Sequence, residues 1–187
     1  MDFDKVLRER KSVRAYSGKN VSFKDVTDIC EAARFSPAAG NIFTIKLVLV
    51  SDRKKIIELT EAALRQECIA KACHVIVVCS DVENIVRSYG EQGKIFARQQ
   101  AGAAIENMML KTADLGLATC WVGAFDDSAV KRVLGIPAHV QIEALLPIGC
   151  AKGKPSAKIK PELKSILRFD RYDTKTTKPK RSSNIFR

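Results

Sequence analysis

No stretch of this 187-residue chain approaches the roughly 18 consecutive apolar residues of a membrane span. Its best apolar run, Val75 to Cys79, is only strand-sized. Histidine is scarce, with His74 and His139 alone, and the six cysteines contain no C-x-x-C pair. That spacing excludes the common zinc and iron–sulfur frameworks, which need ligands clustered at short intervals. Cys68, Cys73 and Cys79 come nearest to a cluster, but they lie at or beside an apolar strand and read as buried small hydrophobes. Reduced thiols suit a cytoplasmic protein. The opening Met-Asp-Phe-Asp-Lys carries acids where a secretory signal carries bases, and no apolar core follows it. A cytoplasmic location is therefore expected. There is no internal repeat.

Hydrophobic residues make up 46% of the chain and charged residues 28%, which is globular composition. A chain of this length makes one domain that buries about 70% of the surface it exposes when unfolded. The formal net charge of +11 is unevenly spread. From Lys152 to Arg187 there are 12 Lys or Arg against three acids, so this tail carries +9 of the total. Such a tail attracts nucleic acid by counterion release, steers anionic small ligands, or simply keeps the protein soluble. No RNP-type aromatic motif, zinc-finger spacing or recognition helix accompanies the bases, so a nucleic-acid partner rests on charge alone.

Helical spacing of Phe3, Val6 and Leu7 predicts a short amphipathic helix over the first ten residues. Ser22 and Asp25 form a capping-box-like start, and Val26, Ile29, Cys30 and Ala33 continue it as a second helix. Pro37, Gly40 and Asn41 break that helix. Strands are predicted at Ile45–Val50, Val75–Cys79, Ala118–Val122 and Val140–Pro147. Helices are predicted from Asp52 to about Gln66, from about Lys94 to Leu115, and from Asp126 or Asp127 to Leu134. Residues 80–93 hold two glycines and few apolar anchors, and read as a loop or lid. Within the long helix, Ile105, Met108, Met109 and Thr112 form one stripe, and Ala101-Gly102-Ala103-Ala104 offers a surface for close helix approach. Strands separated by helices, with one very long helix, favour α+β over a doubly wound sheet.

Three constellations carry candidate chemistry. Arg10-Lys11-Ser12-Val13-Arg14 gathers guanidinium forks and a hydroxyl where the first helix ends, and in extended backbone alternate residues share a side. By itself it reads more readily as a solvated basic face. Ser36-Pro37-Ala38-Ala39-Gly40-Asn41 is a small-residue turn ending in an amide that both donates and accepts; its plain reading is a helix-to-strand turn. Gly116 to Phe125 carries the only Trp and ends in Gly123-Ala124, which permits close approach to the backbone.

Taken in order, these segments resemble the nitroreductase family of FMN-dependent flavoproteins. Arg10, Lys11, Ser12, Arg14 and Tyr16 match the family's opening R-R/K-S-x-R and its following aromatic. Ala32, Ala33, Ser36, Pro37 and Asn41 match A-A-x-x-A/S-P-S-x-x-N, with Ala38 replacing the second Ser. Ala104, Asn107, Leu110, Leu115, Gly116 and Leu117 match the long-helix pattern, with Thr112 replacing its middle Ala. Thr119, Cys120, Trp121, Val122, Gly123 and Phe125 resemble S-C-W-I-G-x-F, and Pro147-Ile148-Gly149 matches P-x-G. Departures are Phe43-Thr44-Ile45 where the family has Gln-Pro-Trp, and Lys158-Ile159-Lys160 standing in for a late K-x-R.

The resemblance implies a three-layer α/β/α sandwich with a mostly antiparallel sheet and a long central helix. It implies a single domain over 1–170, with 171–187 a basic tail that wraps a partner. FMN is the implied cofactor, shared across a homodimer, with NADH or NADPH as donor and a nitroaromatic, quinone or similar flat acceptor following in ping-pong order. Arg10, Lys11 and Ser12, with Lys158 or Lys160, would hold the phosphate, and Arg14 would sit at the N1/O2 edge of the ring. Asn41, Ala38 and Ala39 would meet the polar rim. Val122, Gly123 and Ala124 would present main chain to N5. No side-chain acid or base is expected, because the flavin carries the chemistry. The same fold also admits NADH oxidase, dehalogenase or flavin-cleaving activity.

Overall fold

The computed structural model describes residues 2–154 and 159–173, which fall into two compact units divided between these ranges. In the first unit, β1 (Ile45–Val50), β2 (His74–Ser80), β3 (Ala118–Thr119) and β4 (Gln141–Gly149) form one sheet of order β1-β2-β4-β3. Every strand pairing in it is antiparallel. Around it lie α1 (Phe3–Glu9), α2 (Phe23–Ala32), α3 (Arg53–Ala62), α4 (Glu67–Ala70), α5 (Glu83–Tyr89), α6 (Gln92–Asp114) and α7 (Asp127–Leu134). In the second unit the one helix among the described residues is α8 (Leu163–Ile166).

Strand periodicity builds the three layers. Successive side chains of β2 point to opposite faces, so Val75, Val77 and Cys79 enter one apolar cluster while Ile76 and Val78 enter the other. On β4, Leu145 joins the first cluster, and Ala144, Leu146 and Ile148 join the second. One cluster is covered by α3, α4 and α7, the other by α2 and α6. This is the expected α+β sandwich. Each fully buried large aliphatic side chain contributes about 1.5–3 kcal/mol.

Local signals set the helix starts. The Ser22 hydroxyl accepts from the N–H of Asp25 at 3.0 Å, Asp52 from Lys54 at 2.7 Å, and Asp126 from Ala129 at 3.0 Å. Each satisfies a first-turn donor that has no partner within the helix. The helix predicted from Asp52 stops at Ala62, where Leu64 and Arg65 turn with φ of 57° and 58° before α4.

Two expectations need correction. Residues 80–93 are not a loop, because they hold α5. Its single buried apolar residue, Ile85, gives almost no periodic signal. The two glycines that suggest a loop serve packing instead. Gly90 turns the chain at φ 58°, and Gly93 lies so close to α5 that a Cβ there would come within 2.6 Å of the Ile85 carbonyl oxygen. The third strand is also shorter than predicted. Only Ala118–Thr119 pair continuously, and Val122 returns to the sheet as an isolated bridge to Leu145.

Candidate active site

The extended run after α1 lies along the sheet edge. Ser12 bridges Thr119 in parallel, the N–H of Val13 donates to the Thr119 carbonyl at 2.8 Å, and Tyr16 bridges Ala151. Val13 and Tyr16 turn toward the core. The Tyr16 hydroxyl donates to the carbonyls of Val13 and Pro147, at 3.0 and 3.1 Å. Burial pushes this phenol far above its ordinary range, so it stays protonated. The basic run is thereby fixed beside the segment that carries residues 119–124.

Arg10 is held by Glu106 on α6, its Nε lying 3.2 Å from the carboxylate, and its side chain is only 16% exposed. A guanidinium has five N–H donors, so among the described residues this ion pair leaves its terminal nitrogens uncommitted. Arg10 and Lys11 line a cavity of about 190 Å³ against the end of α6 and β3. Further along the same segment, Arg14 lines a cleft of about 660 Å³ with Arg53, Lys71 and Lys152. Among the described residues, no acid lines that cleft.

Val122 is buried, and its N–H and C=O are both taken by Leu145 at 3.0 Å. Its main chain therefore anchors the loop. The following Gly123 and Ala124 are exposed, and among the described residues their N–H groups have no hydrogen-bond partner. Gln66, just before α4, holds that loop in place by donating from Nε2 to the Ala124 carbonyl at 2.9 Å. From below, the N–H of Asp126 donates to the Ala62 carbonyl at 2.8 Å. Neither Gln66 nor Glu106 was legible as a site residue in the sequence, since each acts through a partner distant along the chain.

Ala38, Ala39 and Asn41 line neither of these cavities. They form a separate tight turn in which Gly40 and Asn41 both adopt φ of 57°. The Tyr89 hydroxyl, from the end of α5, occupies the space a Cβ on Gly40 would need. Ser36 Oγ beside this turn and Thr119 Oγ1 beside Ser12 are buried without a partner among the described residues. Lys160 is exposed in the second unit, and Lys158 lies outside the described residues. Among the described residues no trio of His, Cys, Asp or Glu is gathered as a metal site, and no helix is long and apolar enough to cross a membrane.

The chain is an α+β sandwich whose edge presents cations next to main-chain amides that are uncommitted among the described residues. The pattern of the Nitroreductase family matches residues 7–81 and 61–150. An NADH dehydrogenase of Thermus thermophilus is 26% identical over 189 residues, covering 85% of this chain and 92% of its own. A nitroreductase family protein of Clostridium novyi superposes with a TM-score of 0.75 at 25% identity, over 94% of this chain and 97% of that one. An NADPH:FMN oxidoreductase of Vibrio harveyi, solved with NAD+, shares the fold with a TM-score of 0.84 at 16% identity, over 93% and 79% of the two chains. The chain belongs to the nitroreductase family.

Proposed function

We propose that this protein is an FMN-dependent NAD(P)H oxidoreductase that reduces a nitroaromatic, quinone or similar flat acceptor, with its site completed by a second copy of the chain. The observation that carries this reading is the Ser12–Thr119 bridge. It brings the basic run and the Gly123–Ala124 loop to one edge of the sheet although they are far apart in sequence.

The residues fit the cofactor. Arg10 and Ser12 supply charge-assisted and hydroxyl donors for a phosphate, with Lys11 adding charge. The buried Thr119 hydroxyl lacks a partner beside them. Arg14 provides a fixed cation for the pyrimidine edge, where reduction places negative charge. The N–H groups of Gly123 and Ala124, held by Val122 and Gln66, are free to line the reactive face. The chemistry that bound FMN supplies is two-electron storage between a nicotinamide donor and the acceptor. The chain itself binds, orients and stabilises charge, and needs no acid or base of its own.

A homodimer accounts for the turn at Ala38, Ala39 and Asn41. These residues line neither of the two described cavities that hold Arg10 and Arg14, and a partner's turn would bring the same groups to the polar rim. The T. thermophilus relative and the V. harveyi neighbour support nicotinamide and flavin use through their own descriptions.

The purified protein should be yellow and show a bound-flavin spectrum. Arg10→Ala with Ser12→Ala should lower FMN retention at least tenfold, since each charge-assisted hydrogen bond contributes about 1.5–3 kcal/mol. Unchanged retention would remove the phosphate assignment. Light scattering of the flavin-loaded protein should give twice the 20.7 kDa chain mass, and a flavin-loaded monomer would contradict the shared site.

A further inference from the structure

All six cysteines are free thiols, and two of them meet. The Cys120 thiol donates to Cys68 Sγ across 3.9 Å, and both residues are buried. Cys68 stands on the single-turn helix α4, and Cys120 immediately follows β3. A disulfide needs its sulfurs about 2.05 Å apart, so the gap closes with roughly 2 Å of combined sulfur movement.

The surroundings give the two sulfurs unequal roles. The Cys120 thiol foremost, then the Arg14 guanidinium and the N–H groups of Cys68 and Ile69, favour negative charge on Cys68 and outweigh its burial, holding its thiol below the ordinary value. The same contact, together with burial, pushes Cys120 far above that value, so Cys120 keeps its proton. Arg14 and Tyr16 are the charged and titratable groups that face the pair. Arg14, Tyr16 and Ala70 also line the 660 Å³ cleft, which therefore reaches the end of α4, although neither Cys68 nor Cys120 lines it.

We propose that Cys68 and Cys120 are a nucleophilic and resolving thiol pair that closes to an intramolecular disulfide by reducing hydrogen peroxide. The Cys68 thiolate attacks one peroxide oxygen, and the O–O bond breaks. Hydroxide leaves and takes up a proton as water, and Cys68 becomes a sulfenic acid. The Cys120 sulfur then attacks the Cys68 sulfur, the S–O bond breaks, and the departing hydroxyl leaves as water with the Cys120 proton. Two electrons pass from the two sulfurs to the peroxide, and two waters form. The pair needs no flavin to react. A disulfide here would tie α4 to the segment that leads into Gly123 and Ala124. Reversible disulfides of this kind in reducing compartments are usually catalytic or redox-sensing.

The more accessible cysteines are not the proposed pair, which makes the test sharp. Cys30, Cys73 and Cys150 are half-buried and more accessible. Yet burial pushes the Cys30 thiol up to about 11, and the Cys73 thiol is engaged with the Lys19 carbonyl at 3.0 Å. The full-length protein, as purified, should be treated with stoichiometric hydrogen peroxide, alkylated, and examined by intact mass and non-reducing peptide mapping. Two of the six alkylatable thiols should be lost, so the alkylated protein should be lighter than the alkylated untreated control by two alkyl increments and two hydrogen atoms, and one cross-linked peptide should join Cys68 to Cys120. Dithiothreitol should reverse all three changes. In Cys120→Ser the link should be absent, and a cyclic 1,3-dione should trap a sulfenic acid on Cys68. Oxidation of Cys30, Cys73 or Cys150 while Cys68 and Cys120 remain alkylatable would overturn the proposal. So would a wild-type Cys68 carried on to sulfinic acid with no cross-link.

Discussion

On one face of the central sheet, Ile76, Val78, Ala144, Leu146 and Ile148 pack against α2 and α6, and every buried member of that cluster is apolar. On the other face, Val77 and Leu145 share the interior with Tyr16, Cys68, Cys79 and Cys120. The two faces are built from the same strands, and a residue's parity along β2 or β4 decides which one it serves. The α6 face is scaffold, and a long helix laid across it gives a rigid floor. The opposite face also excludes water, but it places thiols and a phenol beneath the edge where the segments proposed to bind the cofactor meet. The half-buried Cys30, Cys73 and Cys150 lie against the α6 face, so the contrast holds for the buried groups.

Ile105→Ala is the strongest way to sharpen this contrast. Ile105 is fully buried on α6, and truncating such a residue costs about 2–5 kcal/mol in lost transfer energy and residual cavity. Urea or thermal unfolding should show that loss. The FMN content of the protein that remains folded should stay near that of the parent. A variant of near-native stability that had lost its flavin would break the division between scaffold and site.

Gly149→Ala tests the reactive face with a smaller change. Gly149 closes β4, and a Cβ there would come within 2.8 and 2.9 Å of the Tyr16 ring. The ring is pinned by two hydrogen bonds, so it cannot move without breaking them. Overpacking of this kind costs about 1–3 kcal/mol. Because Tyr16 stands beside Cys120, the variant should also change how fast the Cys68–Cys120 pair is alkylated, which Ile105→Ala should leave alone. Equal thiol reactivity in both variants would mean that the two faces are not separate.

Much of the scaffold was legible in the sequence because its signals are local. Ile45–Val50 is a strand with the predicted bounds, and Ser22, Asp52 and Asp126 cap helices as their residue types predict. The Ile105, Met108, Met109 and Thr112 stripe is buried as its spacing requires. What escaped depends on contacts across the chain. α5 is held by Ile85 and by backbone contact at Gly93, neither of which has a periodic signature. Sequence order gave the members of the basic run and of the Gly123–Ala124 loop, but only the Ser12–Thr119 bridge places them together. Glu106 against Arg10, and Cys68 against Cys120, had no sequence signal, because a contact between single residues on different elements leaves no spacing to read.

The smallest expected effect lies at the rim, where α7 begins directly after the Gly123–Ala124 loop. Asp126 accepts from the Ser128 hydroxyl at 2.7 Å and from the Ala129 N–H at 3.0 Å. These donors, the hydroxyl foremost, hold its carboxyl below the usual carboxylate range. A carboxyl whose folded value is depressed stabilises the fold above its unfolded value of about 3.9, and that contribution is lost as the pH falls through the folded value. Asp126→Ala should therefore lower the Tm modestly at pH 7, and the gap from the parent should narrow progressively below about pH 4. Asp126→Asn retains an acceptor for the Ala129 N–H, so it should lose less at neutral pH and show little of this pH dependence. Since the carboxylate is exposed and the cap is local, FMN content and Cys68 reactivity should not move in either variant. A Tm gap for Asp126→Ala that stayed constant from pH 7 to pH 3 would assign the effect to packing at the start of α7 rather than to the charged cap.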